Sequence, residues 1–293
     1  MYVATLVRAD GLTAGDVAAA SDALVQAGCE PGPSRWVESG IAADLRFSGG
    51  VPSATRIALE AALPNVDVIT QLAADRRRRL IIADMDSTMI TVECIDELAD
   101  YAGIKAEVAA VTEAAMRGEL DFEAALDARV ALLRGLDSAV IARCLAERVR
   151  LMPGAQLLVR TMRAHGASAV LVSGGFTEFA NPVAAEIGFE RAVANQLLVA
   201  DGKLTGAVAK PIVDSATKRH MLINEVARIG CGLNGALAVG DGANDIPMIE
   251  AAGLGVAYHA KPKTESAADA AVRFGDLTVL LYAQDYPRRD WVA

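Results

Sequence analysis

Three apolar runs constrain this chain more than any other feature: Leu-Ile-Ile-Ala at 80–83, Ala-Val-Leu-Val at 169–172 and Ala-Leu-Ala-Val at 236–239. None contains a polar residue, and each ends at a polar or glycine-rich turn. A strand with one solvated face alternates apolar and polar residues, whereas a strand covered on both faces does not. Stretches of helical periodicity separate the runs, so from Leu80 onward the sequence predicts an α/β fold built on a parallel sheet. In such sheets ligands gather at the carboxyl ends of the strands, which directs the search for function to the turns after these runs.

The first 76 residues follow another pattern. Residues 2–7 read as a strand, 13–28 as a helix stopped by Gly28, 34–39 and 42–49 as two alternating strands, 55–63 as a second helix and 65–73 as a last strand. This βαββαβ order predicts a ferredoxin-like α+β module. It resembles the amino-acid-binding regulatory domains of the ACT kind, and the roles implied are an amino-acid effector held here or a homodimer formed here. The run Arg76 to Arg79 reads as a solvated linker or an element end and is taken as the domain boundary, so the expected domains are 1–76 and 77–293.

The formal charge of −9, from 28 basic and 37 acidic residues, argues against a nucleic-acid partner, which demands a basic surface. No uninterrupted apolar stretch of about 18 residues and no leader pattern is seen, so the expected location is cytoplasmic with no membrane partner. Cys29, Cys94, Cys144 and Cys231 are scattered, as are His165, His220 and His259. Reduced, packed thiols are expected, and any metal should be held by oxygen.

Asp84-Met85-Asp86-Ser87-Thr88 follows the first run directly, Ser173-Gly174-Gly175 the second, and Gly240-Asp241-Gly242-Ala243-Asn244-Asp245 closes the third, with Lys218 in a helical stretch between them. Taken alone, the paired aspartates read as an acidic turn and Lys218 as a surface lysine. The four pieces in this order resemble the motifs of the haloacid dehalogenase-like phosphatases. That resemblance implies a Rossmann-like sheet with an inserted cap and a nucleophilic Asp84 that forms an aspartyl-phosphate. Asp86 is then the general acid and base. Ser173, Gly174, Lys218 and Asn244 bind phosphate, and Asp245 supports them. Mg²⁺ is implied as cofactor, held by Asp84, Asp241 and the backbone carbonyl of Asp86.

Residues 93–150 are helix-rich and predict a helical cap between the first two motifs. Glu93 and Arg129 match positions that bind the amino-acid end of the substrate in phosphoserine phosphatases, and Met116 and Phe122 match apolar positions near it. An arginine fork suits a carboxylate. The implied activity is hydrolysis of O-phospho-L-serine, the closing step of serine synthesis. Rival readings are phosphatase action on another small ester, such as phosphohomoserine or a sugar phosphate, and a sensor that stores phosphate on aspartate. Residues 194–208, with Asp201-Gly202 at their centre, predict a β-hairpin that is a structural appendage.

Overall fold

The computed structural model describes residues 1–74, 76–117 and 119–293, apart from the side chain of Met116. The first part of the chain forms β1 (Tyr2–Val7), α1 (Ala14–Gln26), β2 (Glu30–Glu38), β3 (Ala42–Ser48), α2 (Pro52–Ala62) and β4 (Asp67–Leu72). Thr13 caps α1 through a reciprocal pair with Asp16, the arrangement that satisfies two orphan N–H groups at a helix start. The strands make an antiparallel sheet in the order β2-β3-β1-β4. Its core joins Leu6, Leu45 and Phe47 to Leu24 of α1 and Leu59 of α2. The βαββαβ reading therefore describes what forms.

The remainder contains β5 (Leu80–Ala83), then the helices α3 (Cys94–Ala102), α4 (Lys105–Met116), α5 (Phe122–Leu132), α6 (Ala139–Arg148) and α7 (Ala155–Ala164). After them come β6 (Ser168–Phe176), α8 (Thr177–Ile187), β7 (Arg191–Asn195), the hairpin β8 (Leu197–Ala200) with β9 (Lys203–Val208), and α9 (Ser215–Ile229). The chain finishes with β10 (Ala236–Gly240), α10 (Ile246–Ala251), β11 (Leu254–Tyr258), α11 (Pro262–Ala267), β12 (Ala270–Val272) and α12 (Val279–Ala283). Six strands pair in parallel in the order β12-β11-β10-β5-β6-β7. The three apolar runs become the adjacent central strands β10, β5 and β6, buried on both sides. Their carboxyl ends lie side by side, and this brings three distant turns together.

Two expectations need correction. The hairpin is more than an appendage: Gly135 and Ser138 donate backbone N–H groups to Leu204 and Gly202. Lys210, just beyond β9, also pairs with Glu123 and Asp127 of α5 at 2.7 and 2.9 Å. The hairpin thus braces the cap from outside. Of the two readings of the arginine run, which leads directly into β5, the solvated linker fails, because Arg76 and Arg78 are only 7% and 8% exposed. Arg76 grips Asp44 of β3 with two bonds of 3.0 and 2.7 Å. Arg78 donates to Gln71 of β4 and to the carbonyl of Asn234. Side chains alternate along an extended segment, so every second arginine turns inward and fastens the antiparallel sheet to the parallel one. Replacing Arg76 with alanine leaves Asp44 only Thr5 and the half-exposed Arg35 as partners among the described residues. That change is expected to lower stability by about 2 to 3 kcal/mol, read as an earlier urea midpoint.

Candidate active site

Asp84 is the first residue beyond β5, and its backbone N–H donates to the carbonyl of Val239 at 3.0 Å. The side chain is buried. Its Oδ1 accepts from the backbone of Met85 at 2.8 Å and lies 2.7 Å from the Lys218 ammonium. Lys218, in the first turns of α9, is completely buried and stands equally close, 2.7 Å, to Asp245 Oδ1. Burial opposes its charge, but Asp245 and Asp84 outweigh that and hold its pKa above the ordinary lysine range. Asp84 is itself pushed well above the usual carboxylate range by burial and by Asp245, with Lys218 offsetting only part. One buried cation here serves more than one buried anion.

Asp86 lies at the mouth of the same turn, with Oδ1 buried and bound to no partner among the described residues. Burial, then the charge of Glu93, raise its carboxyl to about 7, so near neutral pH it holds a proton a large part of the time. Asp241 follows β10 and accepts from the buried Thr88 hydroxyl at 2.8 Å. Burial raises it to about 6, with Asp245 and Glu93 adding to the rise.

One carboxylate oxygen each from Asp84, Asp241 and Asp245 lies within 4.8 Å of the other two. Asp245 is already committed, however. One oxygen takes Lys218, and the other accepts the backbone N–H groups of Asp241 and Gly242 at 3.2 and 3.0 Å. The oxygens of Asp84 and Asp241 are the better donors for a hard divalent cation, whose charge would relieve the excess of buried carboxylate.

The last residues of β6 bend toward these acids. Ser173 is buried, and its hydroxyl accepts the N–H of Gly175 at 2.9 Å, which leaves its own proton to donate. A side chain at Gly175 would stand 3.0 Å from Asp86 Oδ2 and 3.1 Å from Met85 Cε, so the turn packs tightly on the Asp84 loop. From the cap, the ring of Phe122 at the start of α5 leans on Gly174, where an added Cβ would lie 3.1 Å from it.

Glu93 stands at the head of α3, where Ser87 donates to it at 2.7 Å. Arg129, in the last turn of α5, uses Nε on the carbonyl of Ala125 and has no ion-pair partner among the described residues. Burial lowers its pKa, while Asp96, Glu93 and Asp86 act against that, which locates its charge beside the acids under the cap. Two expected residues are less informative. Asn244 folds its Oδ1 over Gly242 and makes no side-chain hydrogen bond among the described residues, while the side chain of Met116 lies outside them.

Sequence reasoning gave no role to Thr88 or to Asn195. Asn195 ends β7 and is 2% exposed, with Nδ2 donating to the Gly174 carbonyl at 2.8 Å and Oδ1 accepting Val213 N–H at 2.7 Å. The available signal was a lone amide ending a short apolar strand, which by itself names no partner.

A family model described as haloacid dehalogenase-like hydrolase matches residues 81–250. A phosphoserine phosphatase of Streptomyces coelicolor is 47% identical across 82% of this chain, which spans 58% of that relative's length. Another from a Polaromonas species is 48% identical across 69% of this chain and 88% of its own length. The unliganded crystal structure of a probable phosphoserine phosphatase from Vibrio cholerae superposes with a TM-score of 0.78 at 33% identity, covering 99% of this chain and 87% of that one. A phospho-aspartyl intermediate analogue of phosphoserine phosphatase superposes at 0.65 with 38% identity, over 70% and 97%. No helix among the described residues is long and apolar enough to cross a membrane. With its motifs on the central strands of the parallel sheet and this likeness running through both sheets, the chain belongs to the haloacid dehalogenase-like hydrolases.

Proposed function

We propose that this protein is a phosphoserine phosphatase, which hydrolyses O-phospho-L-serine to L-serine and phosphate as the closing step of serine synthesis. One observation carries the chemistry: a buried carboxylate held by a buried lysine at 2.7 Å, and beside it a carboxyl raised to about 7 whose Oδ1 has no partner among the described residues. Asp84 Oδ2 is the attacking atom, because Oδ1 is engaged by Met85 N–H and Lys218. The Asp84–phosphorus bond forms as the bond to the serine oxygen breaks, and Asp86 hands its proton to that oxygen. Water then attacks phosphorus, Asp86 takes its proton back, and the Asp84 carboxylate is released with phosphate. Lys218 and the Ser173 hydroxyl hold equatorial phosphate oxygens, with the Gly174 N–H and Asn244 assigned beside them, and Asp245 fixes the ammonium of Lys218.

Mg²⁺ is the cation we assign to Asp84, Asp241 and the Asp86 carbonyl, and when bound it supplies positive charge to the phosphate oxygens. The all-oxygen donor set and its surplus of negative charge support that choice. Glu93 and Arg129 recognise the ammonium and carboxylate of the substrate, and Phe122 closes its apolar side. The N-terminal domain, 1–76, is proposed as a regulatory or pairing module.

The test is phosphate release with Mg²⁺ from O-phosphoserine and from O-phosphoethanolamine, which lacks the carboxylate. Arg129→Ala is expected to lower kcat/KM for phosphoserine about 10- to 100-fold, the size of a lost hydrogen bond to a charged group. The loss with phosphoethanolamine should stay below about threefold. An equal loss on both esters removes Arg129 from substrate recognition, and turnover confined to some other ester discards phosphoserine.

A further inference from the structure

β6 and β7 pair in register up to Val172 opposite Val193 and meet again at Phe176 opposite Asn195, so between those points β6 carries three residues and β7 one. The extra residues are Ser173, Gly174 and Gly175, and they leave the ladder as a bulge. A bulge strands backbone groups, and a buried carbonyl without a partner is costly. The Asn195 amide fills the gap: Nδ2 takes the Gly174 carbonyl at 2.8 Å, while Oδ1 takes the N–H of Val213. Val213 immediately precedes Asp214, whose side chain caps the helix that carries Lys218.

We propose that Asn195 is a positioning residue for phosphate recognition, acting through Ser173; this rests on the phosphatase reading. In a trans peptide the C=O and N–H point in opposite directions. Holding the Gly174 carbonyl toward Asn195 therefore turns the Gly175 N–H the other way, onto Ser173 Oγ at 2.9 Å. With one lone pair so occupied and the O–H turned away from that donor, the Ser173 hydroxyl presents its proton to a phosphate oxygen. The same amide ties the turn to the start of α9, so the serine and the lysine keep one spacing.

The experiment is calorimetric binding of inorganic phosphate to the full chain with Mg²⁺, for the wild type, Asn195→Asp, Ser173→Ala and the double variant. Asn195→Asp keeps the acceptor for Val213 and replaces the donor by an anion. Each single variant is expected to weaken phosphate binding about tenfold, and the double variant to match Ser173→Ala within about twofold, because residues that act through one another are not additive. Additive losses, or unchanged binding in folded Asn195→Asp, overturn the proposal. Asn195→Ala repeats the cycle without the new charge, and loss of the native melting transition in both Asn195 variants assigns the residue to folding and also overturns it. Wild type that binds phosphate but releases none from phosphoserine sinks the substrate reading and leaves this cycle decisive; wild type that binds no phosphate sinks both.

Discussion

Replacing Lys218 with methionine is expected to abolish measurable phosphate release and to lower the stability of the metal-free protein by about 3 to 5 kcal/mol, the range for removing one partner of a buried charge pair. Methionine is close to lysine in length and fills the fully enclosed space, so the loss would not come from a cavity. It would come from Asp84 and Asp245, whose oxygens each lie 2.7 Å from the missing ammonium and would face one another without a cation. Urea unfolding in EDTA measures the stability, and phosphate release with Mg²⁺ measures the activity. Adding Asp245→Asn to Lys218→Met should restore part of the stability, since one buried anion is gone, and none of the activity. An unchanged urea midpoint in Lys218→Met would show that this lysine does not carry the electrostatic load assigned to it.

The parts of the site that the sequence discloses are those written into consecutive residues. Strands β5, β6 and β10 are buried on both faces and therefore appear as unbroken apolar runs, and the turns that follow them announce themselves by carboxylates and glycines. β7, β11 and β12 were not anticipated, because five or three residues such as Arg191–Asn195 and Ala270–Val272 lack the length that separates a strand from a helix fragment. The arginine run was misread for a related reason. A charged residue is normally solvated, and only the pairing of β3 and β4 with β1 brings Asp44 and Gln71 to the positions that Arg76 and Arg78 satisfy. Thr88 and Asn195 share this limitation. Their partners, Asp241 and Val213, stand 153 and 18 residues away, and which polar group a buried side chain will meet is a property of the packed molecule. Glu93 and Arg129 were singled out solely through the resemblance. Taken singly, each is a charge on a helix.

Asp84→Asn should separate activity from stability in the opposite sense. Phosphate release is expected to fall by at least about 10⁴-fold, the order seen when a nucleophile is removed, because an amide does not displace the serine oxygen. Stability without metal should be retained or increased. The amide oxygen can still accept from Met85 N–H, and Lys218 keeps Asp245, while one member of an over-crowded set of carboxylates is neutralised. The sign follows from proton linkage. An unfolded carboxyl titrates near its ordinary value of 3.8, whereas folded Asp241 and Asp86 are raised to about 6 and about 7 and Asp84 is raised well above the ordinary value. Between about pH 4 and pH 7 the native state therefore binds more protons than the unfolded one, and stability declines as pH rises through that window. The amide that replaces the Asp84 carboxyl cannot titrate, so the metal-free variant should show a shallower decline than the wild type across the same range. Thermal melts in EDTA at several pH values test this, and a variant that melts earlier than the wild type at pH 7 with an equally steep pH dependence would mean that the buried acids are stabilised by something other than Lys218. If the prediction holds, the folded chain without metal keeps its nucleophile at a cost in stability. A divalent cation at Asp84 and Asp241 would then raise the wild-type melting temperature at neutral pH more than that of Asp84→Asn, because binding to the native state alone stabilises it by mass action.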